Sequence, residues 1–138
     1  MNKQDKELLL KDLCARLPYG VKVQIKANNC YDGINTLNFD DLNSFVKNCP
    51  RDEDWYDVVT SIKPYLRPMP SMTDEEKMYV NELIYDKDGL FLSPIPTWVI
   101  NECDIDKYID FCNSKHLDWR GLISKGLALP APEDMYNF

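Results

Sequence analysis

The sequence predicts an α+β fold, with an N-terminal helix, a small antiparallel sheet and a helical C-terminal half, and three observations carry the prediction. Leu9, Leu13 and Leu17 recur at intervals of four, with Leu10 and Cys14 beside them, which is the apolar stripe of an amphipathic helix. Val21, Val23 and Ile25 then alternate with Lys22, Gln24 and Lys26, the period of a strand with one buried face. From Thr73 onward the helical period returns: Thr73 and Glu76 form a T-x-x-E capping box, and Ile105, Tyr108, Ile109 and Cys112 follow the i, i+3, i+4, i+7 rule. Helix, then strands, then helices is the order of an α+β protein.

The elements follow in turn. The first helix covers Lys3 to Leu17, leaves Lys6, Glu7, Lys11, Asp12 and Arg16 for its polar face, and stops at Pro18 and Gly20. The first strand is followed by turn residues Asn28, Asn29 and Asp32-Gly33, and Ile34, Leu37 and Phe39 supply a partner strand. Asp40 to Asp54 is a polar, acidic connection with a short helix at Asp41 to Lys47. Trp55 to Lys63 is rich in aromatic and β-branched residues and reads as a strand, ended by Pro64, Pro68 and Pro70. The capped helix runs from Thr73 to about Tyr85, stopping before Asp88-Gly89. Leu90 to Leu92 is a short apolar segment, Thr97 to Cys103 a helical turn, and Asp104 the N-cap of a helix reaching Lys115. Trp119, Leu122 and Ile123 fit one more helical turn with Gly126 as its C-cap, and Leu127 and Leu129 lead into Pro130, Pro132 and a frayed end. The core expected from these patterns is Leu9, Leu13, Leu17, Val23, Ile25, Val58, Ile62, Leu83, Ile109 and Leu122.

A length of 138 residues fits a single domain, 1–138, able to bury a core without a disulfide or metal. The net charge of −7, from 16 basic and 23 acidic residues, repels phosphate backbones, so nucleic acid is an unfavoured partner and a basic one is favoured. The five cysteines are odd in number and contain no CxxC pair, which argues against a zinc ribbon and suits a reducing cytoplasm. Cys14 and Cys112 are placed on apolar helix faces as small hydrophobes. Met1 to Lys6 leads straight into a charged helix, so no secretory leader is expected, and no apolar run is long enough for a membrane span.

Motifs that would announce a reaction or cofactor do not occur. There is no GxGxxG, no P-loop, no GxSxG, no HExxH and no EF-hand spacing, and no cofactor, metal site or catalytic residue is assigned. His116 is the single histidine; it reads as a surface residue at a helix end, and Asp118, two residues on, does not face it on a helix. Two segments are candidates for protein binding. Lys63 to Pro70 holds three prolines that impose an extended path, from which Tyr65, Leu66 and Met69 could be presented beside the basic Lys63 and Arg67; the alternative is a strap that buries Leu66 and Met69. Trp119 and Arg120 are residue types that concentrate at binding hot spots; the alternative is a core tryptophan with Arg120 paired on the protein's own surface. The candidate protein-binding residues are therefore Tyr65, Arg67, Trp119 and Arg120.

Three segments, KELLLKDLCARLPYGVKVQ (Lys6 to Gln24), IKPYLRPMPSMTDEE (Ile62 to Glu76) and YIDFCNSKHLDWRGLISKGLALPAPEDMY (Tyr108 to Tyr136), resemble a family of small uncharacterised proteins from prophages and mobile elements of gut anaerobes. The resemblance implies a bacterial or phage cytoplasmic setting and an accessory role, and it carries no catalytic residue over. The leading expectation is a non-enzymatic protein-interaction or accessory factor. Two others stand beside it: an acidic inhibitor or immunity-type protein whose Asp52-Glu53-Asp54 stretch covers a basic site on an enzyme, and a small enzyme built around His116.

Overall fold

The computed structural model describes residues 2–28, 31–51, 57–84 and 105–136. Its elements are α1 (Lys3–Arg16), β1 (Lys22–Ala27), β2 (Tyr31–Thr36), α2 (Phe39–Lys47), β3 (Val59–Leu66), α3 (Asp74–Ile84), α4 (Ile105–Ser114) and β4 (Leu129–Pro130), with single 3₁₀ turns at Leu17–Tyr19 and Met69–Ser71. The fold is α+β, as the patterning predicts. One sheet orders its strands β2-β1-β3-β4, and β1 pairs antiparallel with both β2 and β3. The chain divides into two compact units, Met1–Tyr65 with Leu127–Leu129, and Leu66–Gly126 with Pro130–Phe138.

In the first unit, Asn2 caps α1 by accepting the Asp5 N–H at 2.7 Å, and Gly20 takes a left-handed φ of 69° that turns the chain into β1. The inward face of α1 differs from the expected one. Leu9, Asp12, Leu13 and Arg16 are the buried set, an i, i+3, i+4, i+7 stripe, while Cys14 is exposed and Leu17 half-buried. The helix is rolled so that an ion pair, not the thiol, enters the core: Arg16 Nε donates to Asp12 Oδ2 at 2.9 Å with both side chains at 0% exposure. Spacing alone puts these two charges one helical turn apart, so they neutralise each other where either alone would be too costly to bury.

The sheet shows the alternation that β1 predicts. Val23 and Ile25 are buried, as are Ile62, Pro64 and Leu66 on β3. The partner strand β2 ends earlier than expected: Leu37 continues the pairing through its N–H to the Val21 carbonyl at 2.9 Å, and Phe39 opens α2 instead. Asn38 caps α2 by accepting from the Asp41 N–H at 2.8 Å, and Asn48 ends it in a left-handed conformation. Leu42 and Phe45 are buried on its inner side. Ser44 ties α2 to β3, its hydroxyl donating to the Cys49 carbonyl at 2.6 Å and accepting from the Val59 N–H at 3.0 Å.

Pro64 does not end the strand as its chemistry suggests; β3 continues to Leu66. The Leu66 carbonyl accepts from Ala131 N–H, so the backbone groups at Leu66 face β4, and those of Pro64, two residues back, face the same way. The missing N–H therefore falls beside the two-residue strand β4, and the ladder to β1 loses no bond. Leu129–Pro130 forms that fourth strand, an element the sequence does not predict.

In the second unit, Met69, Met72, Val80, Tyr108, Cys112 and Leu117 form a buried cluster, with Ile109, Phe111 and Trp119 packed against it. The rings of Tyr79 and Phe111 stand 4.7 Å apart where α3 meets α4. The helical turn expected at Trp119 to Ile123 is a series of hydrogen-bonded turns, ended by Gly126 at φ 74°. Of the expected core, Leu9, Leu13, Val23, Ile25, Ile62 and Leu122 are buried, whereas Leu17, Val58 and Ile109 are half-buried. The Leu83 side chain, Asp52 to Trp55, Leu90 to Leu92, Thr97 to Cys103 and the Asp104 cap lie outside the described residues.

Breaking the buried pair of α1 should be costly while replacing it should not. Arg16→Met alone is expected to lose about 3 kcal/mol of unfolding free energy, because it strands the Asp12 carboxylate, and Asp12→Leu with Arg16→Met to recover most of that loss. Urea denaturation of the two variants checks this.

Candidate functional site

The proline-rich segment runs inward rather than outward. Leu66 and Met69 are buried, so the apolar residues that a partner's groove would have received are held inside the protein. Pro68 and Met72 keep near-polyproline angles on either side of the Met69–Ser71 turn, which bends the expected extended path. Arg67 sits at the centre of this strap. Its backbone N–H donates to the His116 carbonyl at 2.7 Å and its carbonyl accepts the Asp118 N–H at 2.9 Å, a bridge to the chain beyond α4. Its guanidinium grips Glu76 with both Nη atoms, at 2.9 and 2.7 Å, and also donates to the carbonyls of Lys115 at 3.3 Å and Ser71 at 3.5 Å. Glu76 in turn closes the capping box, accepting from the Thr73 N–H at 2.9 Å while Thr73 Oγ1 accepts from the Glu76 N–H at 3.2 Å.

His116 is not a surface residue. It is buried at 3% exposure with φ 57°, and its ring stacks on Tyr136 at 4.0 Å. The cause is the way α4 ends. The His116 N–H reaches the Asn113 carbonyl and the Leu117 N–H reaches that of Cys112, the paired bonds of a Schellman motif with histidine in the place glycine usually takes. Leu117 and Cys112, both fully buried, make the apolar contact that accompanies it. Asp118 is equally structural: its two carboxylate oxygens accept the N–H groups of Leu122 and Ile123 at 2.7 and 3.0 Å, capping the next turn.

Trp119 is half-buried on the apolar cluster, and its Nε1 donates to Asn113 Oδ1 at 2.9 Å. Arg120 lies over the Trp119 ring, Cζ 4.2 Å from its centre. The Arg67–Leu117 bridge brings the strap and the Trp119/Arg120 region together, so two segments the sequence kept apart are one structural block. A pocket of about 470 Å³ opens beside it, lined by Arg67, Ser71, Thr73, Glu133 and Tyr136. The Arg67 fork on its wall is engaged by Glu76, and the other charged side chain of the lining is the carboxylate of Glu133. Among the described residues no group of three His, Cys, Asp or Glu side chains could hold a metal ion, and no helix is long and apolar enough to cross a membrane. Two acids near the central connection are tied locally, Asp41 and Asp57 both to Arg51, at 3.5 and 3.9 Å.

Tyr65, the fourth candidate, stands elsewhere, on the face of the sheet turned away from the core. Period two places it with Ser61 and Lys63 of β3, Lys22, Gln24 and Lys26 of β1, and Ile34 and Thr36 of β2. Every one of these is half-buried or exposed, and Ile34 is 54% exposed on an edge strand. Three of the eight are lysines. In the sequence these lysines are only the polar half of an alternation; the one signal that marks them is that the polar positions of Lys22 to Lys26 and the matching positions of β3 lack an acid.

The Arg67 hydrogen bonds, helped by Thr73 and opposed by burial, hold the Glu76 carboxyl below its ordinary value of 4.5. A carboxylate lowered in the folded state adds stability that is fully present above its unfolded value and is lost as pH falls through the folded one. Glu76→Gln should therefore flatten the loss of stability below about pH 4.5, seen by urea denaturation across the acid range. Arg67→Met should cost about 3 kcal/mol at pH 7, since it strands a largely buried carboxylate. No family model, curated protein or solved structure matches the chain.

Proposed function

We propose that the protein is a non-enzymatic interaction factor that binds another protein through the open face of the β2-β1-β3 sheet, in the accessory setting of a prophage or mobile element and in the cytoplasm. The observation that carries this reading is the position of Tyr65 and Ile34 on a face whose opposite side is the buried core. A sheet anchored on one side is a rigid platform, and a tyrosine fixed on it can contact a partner with little loss of side-chain freedom. Arg67 and Trp119, which a partner would otherwise compete for, are engaged within their own unit and support the scaffold.

The test is capture of proteins from a lysate of the source cells by three immobilised forms of the chain. Partners held by the unaltered protein should be lost from the Ile34→Ala, Tyr65→Ala variant and kept by Met78→Ala, which removes an exposed side chain of α3 instead. Equal capture by all three, or none by the unaltered protein, counts against the reading.

A further inference from the structure

The walls of the pocket beside the strap differ in what they have left to offer. At about 470 Å³ it is the size of a small-molecule site, and three stretches of the second unit build it: the strap, the cap of α3 and the C-terminal segment. On the strap, Arg67 makes two hydrogen bonds from each Nη atom, to the Glu76 carboxylate and to the carbonyls of Lys115 and Ser71. Its charge is answered by Glu76. The Ser71 hydroxyl gives its hydrogen to the Pro68 carbonyl at 2.6 Å and keeps only lone pairs. The positive end of α3 is met by Asp74, Glu75 and Glu76 in its own first turn. The C-terminal side is different. Glu133 is exposed, and its carboxylate makes no hydrogen bond or ion pair with a described residue. Tyr136 is fixed by its stack on the buried His116 at 4.0 Å. The cation of the lining is thus spent within the protein, and the anion is not.

We propose that this pocket binds a primary alkylammonium group, the chemistry shared by a lysine side chain and a free alkyl amine. The inference does not depend on the interaction reading above. An ammonium carries three donors and no acceptor, which suits a wall whose charged donor is used and whose charged acceptor is available. Glu133 supplies the charged partner. Ser71 Oγ adds a neutral lone pair, and so does Thr73 Oγ1, which takes the Glu76 N–H at 3.2 Å and has a second lone pair left. Tyr136, Ala131 and Pro132 give the methylenes an apolar and aromatic wall. Other chemistries fit less well. An anion finds the Arg67 fork occupied and Glu133 repelling it, in a chain of net charge −7. A quaternary ammonium has no N–H for the hydroxyls. A guanidinium spreads its donors over a plane, whereas acceptors drawn from three side chains suit a compact head.

The experiment titrates the full, nitrogen-labelled chain at neutral pH with four probes: n-pentylamine, acetyl-lysine methylamide, acetyl-arginine methylamide and sodium acetate. Binding is read from the amide shifts of Ser71, Thr73 and Tyr136 by heteronuclear NMR. Both amines are expected to give saturating shifts at these amides, with a Kd of about a millimolar. Glu133→Gln should weaken them about fivefold. Asp134→Asn, which removes the neighbouring carboxylate outside the lining, should leave binding within about twofold. Both positions are exposed, so neither variant disturbs the core. Acetate should give no saturating shift, and the arginine probe should bind more weakly than the lysine one. Tighter binding of pentylamine assigns the site to a free amine and tighter binding of the lysine probe to a protein side chain; either order supports it. Absence of saturating shifts with both amines, unchanged binding by Glu133→Gln, an equal loss with Asp134→Asn, or an arginine probe that binds as tightly as the lysine one overturns the proposal.

Discussion

Arg67 joins three elements of the second unit through one residue. Its main chain bridges to Leu117 beyond α4, its guanidinium clamps the glutamate that caps α3, and its remaining donors reach carbonyls at the ends of α4 and of the 3₁₀ turn. A charged hydrogen bond is stronger than a neutral one, and a bidentate one also fixes geometry. Because Glu76 serves both Arg67 and the Thr73 cap, the ion pair and the start of α3 stand or fall together. The buried methionines on either side, Met69 and Met72, are thereby held in the apolar cluster with Cys112 and Leu117.

The first unit solves a similar problem differently. Asp12 and Arg16 lie one turn apart on the inward face of α1 and are wholly buried. An apolar pair would fill that space at lower electrostatic cost, so the pair contributes less to net stability than its distance suggests. What it does fix is the roll of the helix, which turns Cys14 out and Leu13 in. Across the molecule, the arginines at 16, 67 and 120 are spent on internal contacts, while lysines 22, 26 and 63 stand on the open sheet. The division follows the chemistry of the two side chains: the planar guanidinium tolerates burial and bidentate pairing, and the strongly hydrated ammonium does not.

His116 and Pro64 show where local rules yield to context. A histidine with left-handed backbone carries no sequence signal of the kind a glycine gives, and it is stable here because its carbonyl, its ring and the following leucine are all engaged. Proline inside a strand is disfavoured wherever its N–H is needed, and only the strand order reveals that at Pro64 it is not.

Elements whose signals are local are legible in the chain alone. The strand alternation of Val21 to Lys26, the capping box at Thr73 and Glu76, the period of Ile105 to Cys112 and the resulting α+β class depend on residues close in the chain, whose spacing fixes which side faces inward. The remaining features depend on packing. It chose the roll of α1, made strands of Pro64 and Leu129–Pro130, turned Arg67 and Trp119 inward, and set Lys22, Lys26 and Lys63 in consecutive rows. The strap and the sheet rest on partners distant in sequence, Asp118 for Arg67 and Gln24 for Lys63, and pairings of that kind leave no periodic trace along the chain.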